Sequence, residues 1–325
     1  MPLPHRVTLA RVEEAARTID PVFLDTPQYS CEALGELIGV HLLLKVETLG
    51  PIRSFKGRGA DFLVSQVNDD RPLLCASAGN LGQAMAYACR KRGVGLTVYA
   101  STRANHLKLD RIRALGARVV LHGEDFDAAK LEAARVAAEG NARLVVDSLD
   151  IETLEGAATI GLELLKLPQP LDVVLVALGN GALFNGIARV MKARSPGTRV
   201  VAVGAQGAPA MIESWQAGRV IEHERVNTIA DGLAVRVPIP EALEDMQGLV
   251  DDVHLVSEEV ILRAMRLIHE HAGLVVEPSA AVGVAALLEH TDLYRGRAVG
   301  TVLCGGNLTP EQMRLWLGPV LEVQA

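Results

Sequence analysis

Amine chemistry in this chain rests on few candidates. Of its 32 basic residues seven are lysines, Lys45, Lys56, Lys91, Lys108, Lys130, Lys166 and Lys192, and the rest are arginines. Five of them, Lys91, Lys108, Lys130, Lys166 and Lys192, fall in amphipathic helical patterns and read as solvent-facing. Lys45 lies in an apolar strand close to Glu47 and reads as half of a partly buried ion pair. Lys56 stands between Phe55 and Gly57, among small residues, at an element boundary. An amine desolvated there would have a lowered pKa suited to imine formation. By pattern alone a surface loop lysine fits the position as well.

Four segments rich in Gly, Ser and Asn accompany it: Ser54 to Ala60, Ser77 to Asn80, Gly179 to Ala182, and Cys304 to Asn307. Gly179-Asn180-Gly181-Ala182 follows an apolar run and opens a helical pattern, where backbone N–H groups can close on an anion. It is not a dinucleotide fingerprint, because Phe184 holds the place of the last glycine and no acid lies about 20 positions on. It is not a P-loop, because no Lys-Ser/Thr follows Gly186. A small phosphate monoester suits the loop, and so does a tight ligand-free connection. Ser77-Ala78-Gly79-Asn80 also precedes a helical pattern and could hold a carboxylate or serve only as a cap.

The elements that must position these groups alternate. Strands are expected at 41–46, 73–76, 95–100, 117–121, 143–146, 172–178, 199–204 and 299–303, with helices at 30–38, 81–92, 105–115, 125–138, 152–166, 186–194, 208–216 and 257–272, the last capped by Ser257. Such alternation implies parallel sheets built from βαβ units. The expected architecture is α/β, two doubly wound open sheets. Residues 1–52 and 147–325 form a large domain and residues 53–146 a small one, with the site between them at the strand carboxyl ends, where the glycines fall.

Taken together, the segments resemble the fold-type II pyridoxal phosphate (PLP) enzymes of the threonine/serine dehydratase and serine racemase family. That family carries S-F-K-x-R-G-A, S-x-G-N, a glycine-rich loop, E-P-[ST]-[AG] and S/C-G-G-N in this order. Here they are Ser54 to Ala60, Ser77 to Asn80, Gly179 to Ala182, Glu277 to Ala280, and Cys304 to Asn307. The resemblance implies that Lys56 is catalytic, holding PLP as a Schiff base and moving the Cα proton, with Phe55 flanking the ring and Asn80 on its 3-hydroxyl. It implies phosphate binding by Gly179, Asn180, Gly181, Ala182 and Leu183, and contact of Cys304 with the pyridine nitrogen. Ser77, Ala78, Gly79, Asn80 and Leu81 would hold the substrate.

A thiol partner does not hold the pyridine protonated, which suits β-elimination better than transamination. The implied activity is a carbon–oxygen lyase: a β-hydroxy-L-amino acid loses water and yields a 2-oxo acid and ammonia. Threonine, serine, phenylserine and 3-hydroxyaspartate are all conceivable substrates, and Arg53 could pair with a substrate acid. The alternatives within the fold are β-replacement and racemisation. The methyl group of Ala78 stands where the family's racemases carry an acid/base serine, and Leu81 stands where synthases usually carry threonine. Gly204 occupies the place of a metal-binding Glu in some members, so no divalent site of that type is expected.

The remaining composition agrees with a small-molecule enzyme. A net charge of −7 and eleven scattered aromatics argue against nucleic acid. Four cysteines without C-x-x-C spacing suit a reducing compartment. No leader-like segment and no membrane-length apolar run is visible, so a cytoplasmic enzyme is expected. A homodimer is expected by analogy with the family alone.

Overall fold

In a computed structural model describing residues 5–140 and 142–318, the chain forms a six-stranded and a four-stranded sheet. The strands are β1 (Gln28–Ser30), β2 (His41–Val46), β3 (Leu73–Ala76), β4 (Leu96–Ala100), β5 (Arg118–Leu121), β6 (Arg143–Val145), β7 (Val173–Ala177), β8 (Arg199–Ala205), β9 (Asp252–Val256) and β10 (Ala298–Leu303). The larger sheet runs β1-β2-β10-β7-β8-β9 and the smaller β5-β4-β3-β6. Every pairing is parallel except β1 on β2. The expected α/β architecture of two open, doubly wound sheets is therefore what the chain adopts.

Parallel strands with helices on both faces read as unbroken apolar runs. Val173-Val174-Leu175-Val176-Ala177 of β7 is such a run, buried throughout at the centre of the larger sheet. The smaller sheet shows the period of two directly. Leu73, Cys75 and Val98 face one side with Met85 and Ile112, while Leu74 and Tyr99 face the other with Ala129 and Ala133.

Two expectations about this frame are corrected. The segment after Ser54 is no loop: Lys56 opens the helix Lys56–Ser65. Its glycines serve packing rather than flexibility. A Cβ on Gly59 would lie 2.7 Å from the carbonyl oxygen of Thr153, and one on Gly156 would lie 2.5 Å from the Gly59 Cα, so this helix and Ile151–Leu164 meet backbone to backbone. Ser257 is the N-cap of Glu258–Ala272, but its hydroxyl donates to Glu289 at 2.8 Å instead of accepting from the helix.

Lys45 is wholly buried and does not pair with Glu47. Its Nζ donates to Glu163 and to the Thr26 carbonyl, and Glu47 is taken by Arg58. Arg58, also without exposed surface, binds Glu47 at 2.8 Å and Glu163 at 2.6 Å. In this closed cluster of two cations and two carboxylates, Arg58 lies two residues beyond Lys56 on the same helix, while Lys45 comes from β2 and Glu163 from Ile151–Leu164.

Candidate active site

The segment leading into the helix Lys56–Ser65 is fixed by the chain around it. Ser54 bridges Gly305, and the Phe55 N–H donates to the Cys304 carbonyl at 3.0 Å. Lys56, the first residue of its helix, projects its amine over the Phe55 ring, 4.7 Å from the centroid. Its Nζ donates to Asp147 Oδ2 at 2.6 Å, and both side chains are 17% exposed. The amine is thus reachable but sheltered.

Asp147 follows β6, and Ser148 beside it accepts the Ala182 N–H at 3.1 Å. That contact ties the lysine's surroundings to Gly179-Asn180-Gly181-Ala182, which leaves the carboxyl end of β7 and starts the helix Ala182–Arg194. Gly181 sits at φ 98°, where a side chain would be strained, and a Cβ there would also press on Asn185. The N–H groups of Asn180, Gly181 and Leu183 find no acceptor among the described residues. Free donors at a helix N-terminus form an anion cradle.

Asn80 lies opposite, in the first turn of Asn80–Arg92 at the carboxyl end of β3. Its amide is held from both ends. Nδ2 donates to Glu277 at 2.9 Å, and Oδ1 accepts from Asn307 Nδ2 at 2.8 Å. Glu277 also accepts the Asn307 N–H at 2.8 Å. Burial first, and then the Asp231 charge, push its carboxyl up to about 7 against the pull of Asn80, Lys108 and the Asn307 N–H. Burial, with Glu277 nearby, pushes the Cys304 thiol up to about 12, so it stays protonated.

Contacts chain these groups together: Phe55 donates to the Cys304 carbonyl, Asn80 is held by Asn307 and by Glu277, whose N–H donates to Gly305, and Lys56 meets Asp147, whose neighbour Ser148 accepts from Ala182 of the loop. Ser77, Ala78, Gly79 and Leu81 belong to the turn and first helical residues around Asn80, where the Gly79 N–H donates to Ser77 Oγ at 3.2 Å. Lys108, expected to face solvent, is only 14% exposed and reaches Asp231 at 2.7 Å. Arg53 is exposed, with φ at 51°, and its carbonyl accepts from Gly306. Sequence reasoning missed Asp147 and the role of Glu277. Glu277 sat within a recognised motif, whereas no local pattern marks Asp147.

A primary amine, an array of free N–H donors, a neutral thiol and an oriented amide fit a phosphorylated pyridine aldehyde. Such a set defines a PLP enzyme. The sequence matches the family model described as pyridoxal-phosphate dependent enzyme over residues 19–305, and the chain belongs to that family, with fold type II. It is 35% identical over 305 residues to an L-threonine ammonia-lyase of Thermotoga maritima, spanning 93% of this chain and 76% of that protein. It is 32% identical to a catabolic L-threonine dehydratase of Staphylococcus aureus, spanning 94% and 90%. Among solved structures, a threonine deaminase of T.th. superposes with a TM-score of 0.88 at 33% identity, covering 93% of this chain and 99% of the other. Maize serine racemase superposes at 0.89 and 28% identity, covering 95% and 96%. With these relatives, the chain is a PLP-dependent lyase.

Proposed function

We propose that the chain dehydrates a small β-hydroxy-L-amino acid of the threonine/serine type to a 2-oxo acid and ammonia. The observation that supports this reading is the sheltered Lys56 amine, tied through Asp147 and Ser148 to the donor loop and through Phe55 to Cys304, with Asn80 oriented by Glu277 and Asn307. Lys56, Asn80, the free N–H groups of the loop and Cys304 would hold PLP, which when bound supplies the electron sink that acidifies an amino acid's Cα–H.

The chain's own groups then decide the outcome. The Lys56 amine, sheltered yet reachable and tied through Asp147 and Ser148 to the donor loop, is the base for the Cα proton. Ser77 to Asn80, at a helix start, receives the substrate carboxylate. The Ala78 methyl neither gives nor takes a proton, so a proton removed on one face is not replaced from the other, which favours elimination over racemisation. Cys304, a neutral partner, places no fixed positive charge and leaves departure of the β-hydroxyl the favoured course. The division into a large domain of 1–52 and 147–325 and a small one of 53–146 is supported by the strands of the smaller sheet, which all fall between Leu73 and Val145.

The test is a panel of L-serine, L-threonine, phenylserine and 3-hydroxyaspartate, read as 2-oxo acid and ammonia. Turnover of serine or threonine, lost in Lys56→Ala, is the expected result. Thioether formation when a thiol is added to the panel, or inversion at Cα, without 2-oxo acid would replace the reading by β-replacement or racemisation.

A further inference from the structure

Asp147 has no place in the chemistry above, yet the chain holds it firmly. The next residue, Ser148, is a non-glycine at φ 69° with no exposed surface. Such a conformation persists only where the surroundings impose it. Ser148 N–H donates to Thr153 at 3.1 Å, its hydroxyl accepts from Ala182 at 3.1 Å, and its carbonyl accepts from Arg6 at 2.8 Å. On the other side, Asp150 accepts the Val146 N–H at 2.7 Å and an Arg143 donor at 2.9 Å. The turn carrying Asp147 is pinned at five points.

The carboxylate itself is half satisfied. Oδ2 has Lys56, and Oδ1 is buried with no hydrogen-bond partner among the described residues. Were Lys56 to bond its nitrogen to PLP, Oδ2 would give up its free-ammonium partner, and Oδ1 would still lack a donor whether or not the amine is later released. A sheltered carboxylate without donors is costly, and the group that next arrives beside Lys56 is the substrate. The lysine amine must reach the Cα proton, so Asp147, 2.6 Å from that amine, belongs to the same neighbourhood as the substrate's Cα and Cβ.

We propose that Asp147 reads the substrate's β-substituent, accepting a hydrogen bond from a hydroxyl or ammonium there and repelling a carboxylate. This rests on the functional reading above and narrows it: serine- and threonine-like substrates fit the site, and 3-hydroxyaspartate does not. The exposed Arg53 offers no buried cation to offset that repulsion.

The test uses the PLP-loaded enzyme and amino acids that do not eliminate. L-2,4-diaminobutyrate, L-alanine and L-aspartate are titrated while the cofactor's visible absorption is followed. The wild type is expected to bind diaminobutyrate tighter than aspartate by on the order of tenfold or more, the range of a hydrogen bond to a charged group. In Asp147→Asn the ratio is expected to fall close to one, and kcat/KM for 3-hydroxyaspartate relative to serine to rise. Asp147→Ala provides the same comparison if the amide variant does not fold. An unchanged ratio in a variant that still responds to amino acids overturns the role of Asp147 alone. No spectral response of the wild type to any amino acid overturns the functional reading together with it.

Discussion

Replacing Arg58 by methionine tests whether the buried cluster behind Lys56 holds the fold together. The cluster is neutral as it stands, with Arg58 and Lys45 against Glu47 and Glu163. Arg58→Met leaves two carboxylates and one cation without solvent, and breaks contacts of 2.8 Å and 2.6 Å to the two acids together with one of 2.9 Å to Thr159. Removing one partner of a buried pair costs about 3–5 kcal/mol, a large share of the roughly 5–15 kcal/mol typical of a folded chain. Glu163→Gln alone leaves an excess cation and costs a similar amount. The double variant Arg58→Met/Glu163→Gln restores neutrality, leaving one cation, Lys45, and one carboxylate, Glu47. Its loss is therefore less than the sum of the single losses, by about 2–3 kcal/mol. Urea unfolding of the four cofactor-free proteins measures the cycle. Additive losses, or single losses below about 1 kcal/mol, would refute the view that these charges act as one closed unit.

Three further outcomes follow from the same geometry. Gly59→Ala forces a methyl to within 2.7 Å of the Thr153 carbonyl, and overpacking of two touching helices is expected to lower stability by about 2 kcal/mol in thermal unfolding. Glu277 carries a carboxyl raised to about 7 from 4.5, so its contribution is present below pH 4.5 and lost as pH rises through 7. Relative to Glu277→Gln, the cofactor-free wild type is expected to lose about 3 kcal/mol across that window, and a flat difference would contradict the burial argument. Ala78→Ser places a hydroxyl where proton return to Cα is lacking, and chiral chromatography is expected to detect D-serine from L-serine only in the variant.

The sequence carried the frame where burial is uniform or regularly periodic. β7 and β10 are apolar runs, and β3 to β6 alternate with amphipathic helices. What it concealed has physical causes. The helix Lys56–Ser65 reads as a loop because Gly57 and Gly59 are present for close approach, not for a turn. Pro278–Glu289 has no polar stripe, since nearly the whole helix is buried, and so it gives no amphipathic signal. β9 lies at a sheet edge and mixes Asp252 and His254 with apolar residues. At the site, Lys56, Asn80 and Cys304 were legible because motifs surround them. Asp147 reaches Lys56 across 91 positions, and only the tertiary fold makes that pairing.

The central claim is that one lysine of seven carries the cofactor. Its most direct measurement is borohydride reduction of the PLP-loaded protein, followed by peptide mass mapping. The account predicts one phosphopyridoxyl group per chain, on Lys56, and loss of both the label and the visible absorption in Lys56→Ala. Stoichiometric labelling of any other lysine, or undiminished absorption in Lys56→Ala, would contradict it.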